Sequence, residues 1–300
     1  MDNENPPKVP ARAASTVVLA RQGLPGLEIY LLKRSPESRF FPGNYVFPGG
    51  AVDPEDKDAG FWRSRVDLDP LQISERMGGD LSVEDALGHG IAAVRETFEE
   101  AGILFVEEGE NKHEEVEKVC QIRAGGRLAK TWLQEWVISA GWVLRFSSLI
   151  RWSHWVTPEA MKPRFDTRFY VGLMPSSQDC SPDRREMIDG VWIRPEAALD
   201  GNLRGEVPLS PPTLVTLQEL LPYRSLIDLE KDARGKPWGE ARQPRLVRLE
   251  KGAMILEPWD SMIHQEVMIN SAQLEMRILP AGHPFSRLWL RAGVWTPVGV

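Results

Sequence analysis

One helix-forming segment, 83–101 (VEDALGHGIAAVRETFEEA), constrains the fold of this chain more than any other part of its sequence. Ser82 stands where an N-cap is expected, and Gly102 stands where a helix commonly ends. With about 100° of rotation per residue, an apolar stripe and three carboxylates fall on opposite faces. The stripe comprises Leu87, Ile91, Val94 and Phe98, and the carboxylates are Glu96, Glu99 and Glu100. The pattern predicts a helix that docks on a sheet and points its acidic face outward.

The acidic face of this helix allows two interpretations. Clustered carboxylates repel one another unless a positive charge lies among them, and Mg²⁺ or Mn²⁺ prefers oxygen ligands of this kind. Because glutamate is a good helix former, the same face also suits a plain solvated surface. The upstream pair Gly49-Gly50 favours a site, since glycines let the backbone approach a metal or a phosphate closely.

The remaining segments predict a mixed α/β (α+β) sandwich, because strands and helices alternate along the chain. The runs 15–20 and 27–32 are separated by the turn-forming RQGLPG and predict a hairpin. Further predicted strands are 167–174 and 190–194, and further predicted helices are 127–150, 195–199 and 211–221. A helical insertion at 54–81 is expected to lie outside the sheet and to line part of the substrate cleft. The segment 107–118 is expected to be exposed, 231–245 to be a linker, and 246–300 to be a β-rich extension.

The composition of the chain disfavours some classes of function. The net charge of −7 disfavours a nucleic-acid binder, because that binding depends on lysine and arginine neutralising phosphates. We find no secretory signal and no run apolar enough to span a bilayer, so no membrane partner is expected. Cys120 and Cys180 are interpreted as reduced thiols. The chain ends without a Ser-Lys-Leu address, and we expect a cytoplasmic protein.

Two segments together resemble the Nudix box. RETFEEAGI at 95–103 is similar to its second half, and FPGGAVD at 47–53 is similar to its beginning. The resemblance implies a Nudix α/β/α sandwich over about 12–230, with a helical insertion inside the box and the β-rich extension after it. It also implies a loop–helix–loop that binds Mg²⁺ or Mn²⁺.

The resemblance assigns roles residue by residue. Glu96, Glu99 and Glu100 match the metal ligands, and Gly49 matches the residue whose carbonyl joins them. Arg95 matches the arginine that pairs with a box carboxylate and orients it. The backbone at Gly49 and Gly50 is expected to contact the substrate.

The box is interrupted in this chain. Roughly thirty residues are inserted before Arg95, which a surface loop can tolerate. The isolated box glutamate has no match, since Leu87 occupies its position eight residues before Arg95; Glu84 or Asp85 are candidates to replace it. Asp53 is either a box residue or a turn former.

The segment before the box resembles that of Nudix coenzyme A diphosphatases, apart from Leu32, where threonine is usual. Arg34 and Arg39 suit phosphate recognition, with the 3′-phosphate of coenzyme A as the expected target and solvated loop arginines as the alternative. Further segments resemble the type 19 subgroup of acyl-coenzyme A diphosphatases over about 14–222. They are WVTP at 155–158, RFDTRFY at 164–170 and LSPPT at 209–213.

The resulting functional hypothesis is metal-dependent hydrolysis of a small-molecule nucleoside diphosphate derivative. Coenzyme A or acyl-coenzyme A would give 3′,5′-ADP and (acyl-)4′-phosphopantetheine. Glu186 is a candidate for a further catalytic glutamate, with a structural loop residue as the alternative. Two other functions stay open: hydrolysis of ADP-ribose or a related compound, and a nucleotide-binding Nudix module without catalysis. A homodimer is also left open.

Overall fold

The structure is a computed structural model that describes residues 10–107, 112–126, 128–265 and 273–299. A seven-stranded sheet lies at its centre, with the strand order β3-β2-β1-β6-β5, while β4 pairs with β1 and β7 pairs with β2. The strands are β1 (Arg12–Gln22), β2 (Leu27–Arg34), β3 (Tyr45–Val46), β4 (Gly49–Ala51), β5 (Leu149–Val156), β6 (Phe165–Leu173) and β7 (Met187–Ile193). β1 and β2 form the predicted antiparallel hairpin, whereas β1 and β6 are parallel.

Helices cover both faces of this sheet. They are α1 (Ala59–Trp62), α2 (Pro70–Ile73), α3 (Val83–Ala101), α4 (Lys112–Gly125), α5 (Trp132–Ala140), α6 (Pro195–Leu203), α7 (Pro211–Leu220) and α8 (Leu226–Gly235). Successive side chains of a strand point to opposite faces. Val17 and Leu19 of β1 therefore pack in the core formed with α3, and Val18 and Ala20 pack in the core formed with α6, α7 and α8. The predicted α/β/α sandwich is confirmed.

Helix α3 has the predicted bounds. The Ser82 side chain accepts a hydrogen bond from the Asp85 N–H at its N-terminus, and Gly102 adopts a left-handed conformation (φ +76°) at its end. The predicted apolar stripe is fully buried against the sheet and the neighbouring helices. Side chains on the opposite face at its C-terminal end remain available to form a site.

The insertion 54–81 contributes helical turns and no strand of the sheet. Trp62, Ile73 and Met77 are buried in the core that it shares with α3. None of its residues, all of which the structure describes, lines the cavity beside the C-terminal half of α3. Its predicted position outside the sheet is therefore seen, but its predicted contribution to the cleft is not.

Two predicted segments have different bounds in the structure. The predicted helix 127–150 is shorter, because Gly141 adopts a left-handed conformation that ends α5, and β5 begins at Leu149. The predicted linker 231–245 begins as part of α8, because Leu229 and Ala233 bury the apolar side of that helix. The charged segment 107–118 lies partly outside the described residues, and its described part from Lys112 onward belongs to α4.

A second sheet of four antiparallel strands follows, with the order β11-β10-β9-β8. Its strands are β8 (Arg245–Arg248), β9 (Ala253–Leu256), β10 (Arg287–Arg291) and β11 (Val294–Val298). Met254 and Leu256 pack in a small core of their own, whereas Ile255 and Leu288 pack in the core that also contains α6 to α8. The expectation of a β-rich extension is confirmed. No helix among the described residues is long and apolar enough to cross a membrane.

Candidate active site

The C-terminal half of α3 brings three carboxylates to the edge of a cavity of about 490 Å³. Glu96, Glu99 and Glu100 all line this cavity, together with Gly49 and Gly50. The two glycines lie on β4, which pairs with β1 beside α3. The residues that the sequence predicted to act together are therefore neighbours in space.

Arg95 is the centre of the ion-pair network behind the carboxylates. Its guanidinium binds Asp56 in a bidentate manner, with Nε–Oδ1 and Nη2–Oδ2 distances of 3.0 and 2.8 Å. The same side chain contacts Glu96 at 2.8 Å and Glu99 at 3.3 Å, and it donates to the Ala51 carbonyl. Arg95 and Asp56 are both buried, so this pair fixes the acidic face relative to the loop that follows β4.

Asp56 was not identified from the sequence. The candidates Glu84 and Asp85 have other partners, since Glu84 forms an ion pair with Arg63 and Asp85 bonds with Ser82. Counting back from Arg95 passes over Asp56, because the insertion separates it from the helix. In an uninterrupted box the arginine lies fourteen positions after the second glycine, which puts the isolated glutamate six positions after that glycine. Counting six positions forward from Gly50 finds Asp56.

The glycine pair lets the carboxylates approach the backbone. The Gly49 N–H donates to Glu100 Oε2 at 2.8 Å. A Cβ on Gly49 would overlap the Ser15 carbonyl, and a Cβ on Gly50 would overlap the Glu96 carboxylate. Gly49 is therefore required beside rigid backbone, whereas a side chain at Gly50 would displace the Glu96 carboxylate from its position.

Burial makes the carboxylates costly to ionise without a cation. Burial, and to a smaller extent the charge of the neighbouring Glu96, raises the pKa of Glu100 well above its usual value. Burial also raises the pKa of Glu96 to about 7, although Arg95 opposes this shift. The pKa of Glu99 is raised by burial too. A hard divalent cation would relieve this repulsion, and the oxygen donors present are those that it prefers.

The three carboxylates do not form a closed metal cluster in the present arrangement of side chains. Within the described ranges, no group of three or more acidic, histidine or cysteine side chains has the spacing needed to hold an ion. Arg95 instead contacts Glu96 and Glu99. The donor set therefore fits a divalent cation chemically, and loading would have to redistribute the contacts of Arg95.

Two further residues that the sequence did not indicate support α3. The Trp132 indole N–H of α5 donates to Glu99 Oε1 at 2.6 Å. Arg123 of α4 donates to the backbone carbonyls of Glu99 and Glu100 at 2.9 Å each. A cation that binds the last carbonyls of a helix stabilises its C-terminus. No sequence motif marks these residues, because their role depends on how the helices pack.

The remaining predicted residues separate into two groups. Arg34 lines the cavity, its Nε is buried without a hydrogen-bond partner, and it lowers the pKa of Glu100. Glu186 also lines the cavity, and its charge raises the pKa of Glu100. Arg39 is exposed on the loop that follows Arg34, the last residue of β2, and is not among the cavity-lining residues. Asp53 lines the cavity and lies 4.0 Å from Arg95.

Comparisons with known proteins agree with this geometry. The family model described as the NUDT19 Nudix domain matches residues 11–220. A chicken (Gallus gallus) protein named acyl-coenzyme A diphosphatase NUDT19 is 29% identical over 73% of this chain and 70% of its own length. The human protein of that name is 25% identical over 88% of this chain and 80% of its own length.

A solved structure supports the fold. The crystal structure of a NUDIX hydrolase from Alicyclobacillus acidocaldarius is 26% identical, has a TM-score of 0.57, and covers 77% of this chain and 99% of its own. The family match extends from β1 to the end of α7 and includes the carboxylate helix and both glycines. This chain is therefore a Nudix diphosphatase and belongs to the NUDT19 Nudix family.

Proposed function

We propose that this enzyme hydrolyses the diphosphate of coenzyme A or its thioesters, using Mg²⁺ or Mn²⁺ at Glu96, Glu99 and Glu100. The observation that carries the proposal is a cavity that joins this acidic trio to an unpaired Arg34 Nε and to a large apolar wall. Relatives named acyl-coenzyme A diphosphatase support the same substrate class. A cytoplasmic location, a homodimer and domain bounds of 12–230 and 246–300 remain expectations.

The reaction adds water across one phosphoanhydride bond. The water oxygen bonds to phosphorus, the bond from phosphorus to the bridging oxygen breaks, and one water proton passes to a carboxylate. A divalent cation held by the three glutamates and the Gly49 carbonyl would neutralise the diphosphate and lower the pKa of the attacking water. Glu186 is the carboxylate that we propose as the proton acceptor, since it lines the cavity next to Glu100 but remains exposed to solvent.

The side chains around the trio would orient it. Arg95, fixed by Asp56, keeps Glu96 and Glu99 on one side of the cavity, and Trp132 holds the other oxygen of Glu99. The products from coenzyme A would be 3′,5′-ADP and 4′-phosphopantetheine. A thioester substrate would give 3′,5′-ADP and the acyl-4′-phosphopantetheine.

A substrate panel tests the proposal. Purified protein would be incubated with coenzyme A, octanoyl-coenzyme A, ADP-ribose and a dinucleoside polyphosphate, with Mg²⁺, Mn²⁺ or EDTA, and the products separated by chromatography. We expect 3′,5′-ADP from both coenzyme A compounds and no product with EDTA. Preferred hydrolysis of ADP-ribose would replace the proposed substrate. Tight nucleotide binding without any product would indicate a binding module.

A further inference from the structure

The far wall of the cavity comes from outside the region that matches the family. Pro244 and Ile255 both line the cavity, although the family match ends at residue 220. Ile255 lies on β9 of the second sheet, and its side chain packs in the core shared with α6 to α8. The C-terminal extension is therefore part of the substrate cavity.

The register of the central sheet shows how far this wall lies from the carboxylates. On the cavity face, Gly49 of β4 pairs with Thr16 of β1, which pairs with Phe169 of β6. Thr167 on the same face of β6 pairs with Trp155 of β5. Four neighbouring strands span three spacings, or about 14 Å. The carboxylate trio lies at the β4 end of this row, and the extension lies at the β5 end.

The extension is anchored at that end by Arg242. Its N–H and carbonyl bond with the backbone of His154 and Val156 at 2.8 and 2.9 Å. Its guanidinium lies 5.3 Å from the ring centre of Trp155, and it forms an ion pair with Glu219 at 2.7 Å. The wall formed by Pro244 and Ile255 is consequently held against the edge of β5.

The two ends of the cavity differ in the chemistry of their lining side chains. Charged groups that could bind the diphosphate, including Arg34, lie near the carboxylates. Around the extension, the lining includes the apolar side chains of Trp155, Met161, Phe165, Pro244 and Ile255. Thr157 and Thr167 also line this end, and Arg12 lines the cavity beside Phe165. The amides of a pantetheine arm require hydrogen-bond partners, whereas an alkyl chain requires none. The β5 end therefore suits an apolar chain, which reaches it when the pantetheine arm, longer than this spacing when extended, is bent within the cavity.

We propose that the C-terminal extension forms an acyl-chain site, in which Ile255 contacts the alkyl chain of a coenzyme A thioester while its diphosphate lies at α3. This inference rests on the proposed function. Burying one methylene typically strengthens binding about fourfold. A chain that reaches Ile255 should therefore be preferred over free coenzyme A, and that preference should depend on the shape of this wall.

The test compares free coenzyme A with dodecanoyl-coenzyme A as substrates of Ile255→Trp and Ile255→Ala variants. We expect Ile255→Trp to lower kcat/KM for the dodecanoyl thioester by about tenfold or more, with kcat/KM for coenzyme A nearly unchanged. Leu246→Trp is the matched control, because Leu246 pairs with Ile255 across the strands but does not line the cavity. That control should keep the wild-type ratio. If Ile255→Trp does not fold, Ile255→Ala should still change the ratio.

A binding measurement without turnover gives a second readout. Titration of dodecanoyl-4′-phosphopantetheine and of 4′-phosphopantetheine in EDTA should show an affinity advantage for the acylated compound that Ile255→Trp removes. Equal effects of the variants on both compounds, or no effect on either, would overturn the acyl-chain site. Hydrolysis of coenzyme A or dodecanoyl-coenzyme A by the wild type decides the proposed function separately, and the absence of both reactions would overturn that function.

Discussion

Glu100 combines two properties that a metal ligand needs, because it is buried and its charge is poorly compensated by protein groups. Its Oε2 accepts the Gly49 N–H, and the adjacent Glu96 raises its pKa further. Replacement by glutamine keeps the hydrogen-bond acceptor and removes the charge. We predict that Glu100→Gln lowers kcat by at least about a hundredfold, while the melting temperature in EDTA is unchanged or higher.

The measurement is a pair of melting curves, with EDTA and with saturating Mg²⁺, alongside steady-state kinetics. Stabilisation by Mg²⁺ should be reduced in Glu100→Gln, because a ligand that binds only the folded state stabilises it. Glu84→Gln is the matched control, since Glu84 lies on the same helix and its partner is Arg63. Near-normal turnover of Glu100→Gln at saturating metal would refute the ligand assignment.

Asp56 and Asp53 differ in how closely they contact Arg95. Asp56 is buried and bidentate, whereas Asp53 lies 4.0 Å from Arg95 with a side chain that is 40% exposed. Removing one partner of a buried ion pair typically costs about 3–5 kcal/mol. We predict a loss near the lower end of this range for Asp56→Ala, because Glu96 and Glu99 also contact Arg95.

Asp53→Ala should change the free energy of unfolding by less than about 1 kcal/mol. Urea denaturation of the two variants provides the comparison. Asp56→Ala should also lower kcat, since Arg95 would no longer hold the carboxylates in place. If the two substitutions cost the same stability, the buried pair is not what fixes the site.

The position of Arg34 revises which phosphate it is expected to bind. Arg34 lines the cavity together with Glu100 and lowers the pKa of that carboxyl, so we expect it to act at the diphosphate end of the cavity. Losing one contact to a charged group typically costs about 1.5–3 kcal/mol, or roughly ten- to over a hundredfold. We predict that Arg34→Gln raises KM by this factor equally for coenzyme A and 3′-dephospho-coenzyme A.

Arg39→Gln is the control, because Arg39 is exposed on the loop that follows Arg34 and does not line the cavity. It should leave both KM values within about twofold. A loss in Arg34→Gln that appears only with coenzyme A would restore the 3′-phosphate as its target. That was the expectation from the sequence, which could not show which end of the cavity the loop approaches.

At the scale of elements, the sequence predicts the bounds of a segment well when that segment contains its own start, packing and stop signals. Helix α3 has an N-cap, a long apolar stripe and a terminal glycine, so its bounds follow from the sequence. Strand β5 was hidden because its tryptophans and those of α5 lie in one tryptophan-rich segment. The residues 141–148 that separate helix from strand begin at the left-handed Gly141. Periodicity alone cannot distinguish short apolar strands from helices.

The site residues likewise divide into those that a local motif predicts and those whose role depends on contacts between distant segments. The carboxylates and glycines follow from two short motifs, and the sequence therefore predicted them correctly as neighbours. Asp56, Trp132 and Arg123 contact α3 from three separate segments. Asp56 could have been found by its spacing from Gly50, but no spacing rule links Trp132 or Arg123 to the motif, because their roles arise from packing between elements that lie far apart in the chain.

At the scale of the whole molecule, the docking of the extension buries a carboxylate that it does not satisfy. Glu257 follows β9, is completely buried, and neither of its side-chain oxygens has a hydrogen-bond partner. Burial raises its pKa to about 8, opposed by Arg242 and reinforced by Glu219. The folded protein therefore holds a proton on Glu257 that the unfolded chain releases at lower pH.

This difference makes stability depend on pH in a definite direction. Between the ordinary pKa of 4.5 and the folded value of about 8, the folded state binds more protons than the unfolded state. The contribution of Glu257 to stability is therefore fully present below the lower value and is lost as pH rises through the upper one. We predict that the stability of Glu257→Gln, which is neutral throughout, rises relative to wild type from pH 5 to about pH 8 and then levels off, by an amount on the order of a few kcal/mol in total.

Urea denaturation at intervals across this range, followed by tryptophan fluorescence, measures the difference between the two proteins. Titrations elsewhere in the chain are common to both and cancel in that difference. Glu250→Gln is the control, because Glu250 is an exposed residue of the same extension. Its stability should follow the wild type at every pH. A Glu257→Gln curve parallel to the wild type would mean that Glu257 reaches solvent in solution, and that the extension packs less closely on the Nudix fold than the structure shows.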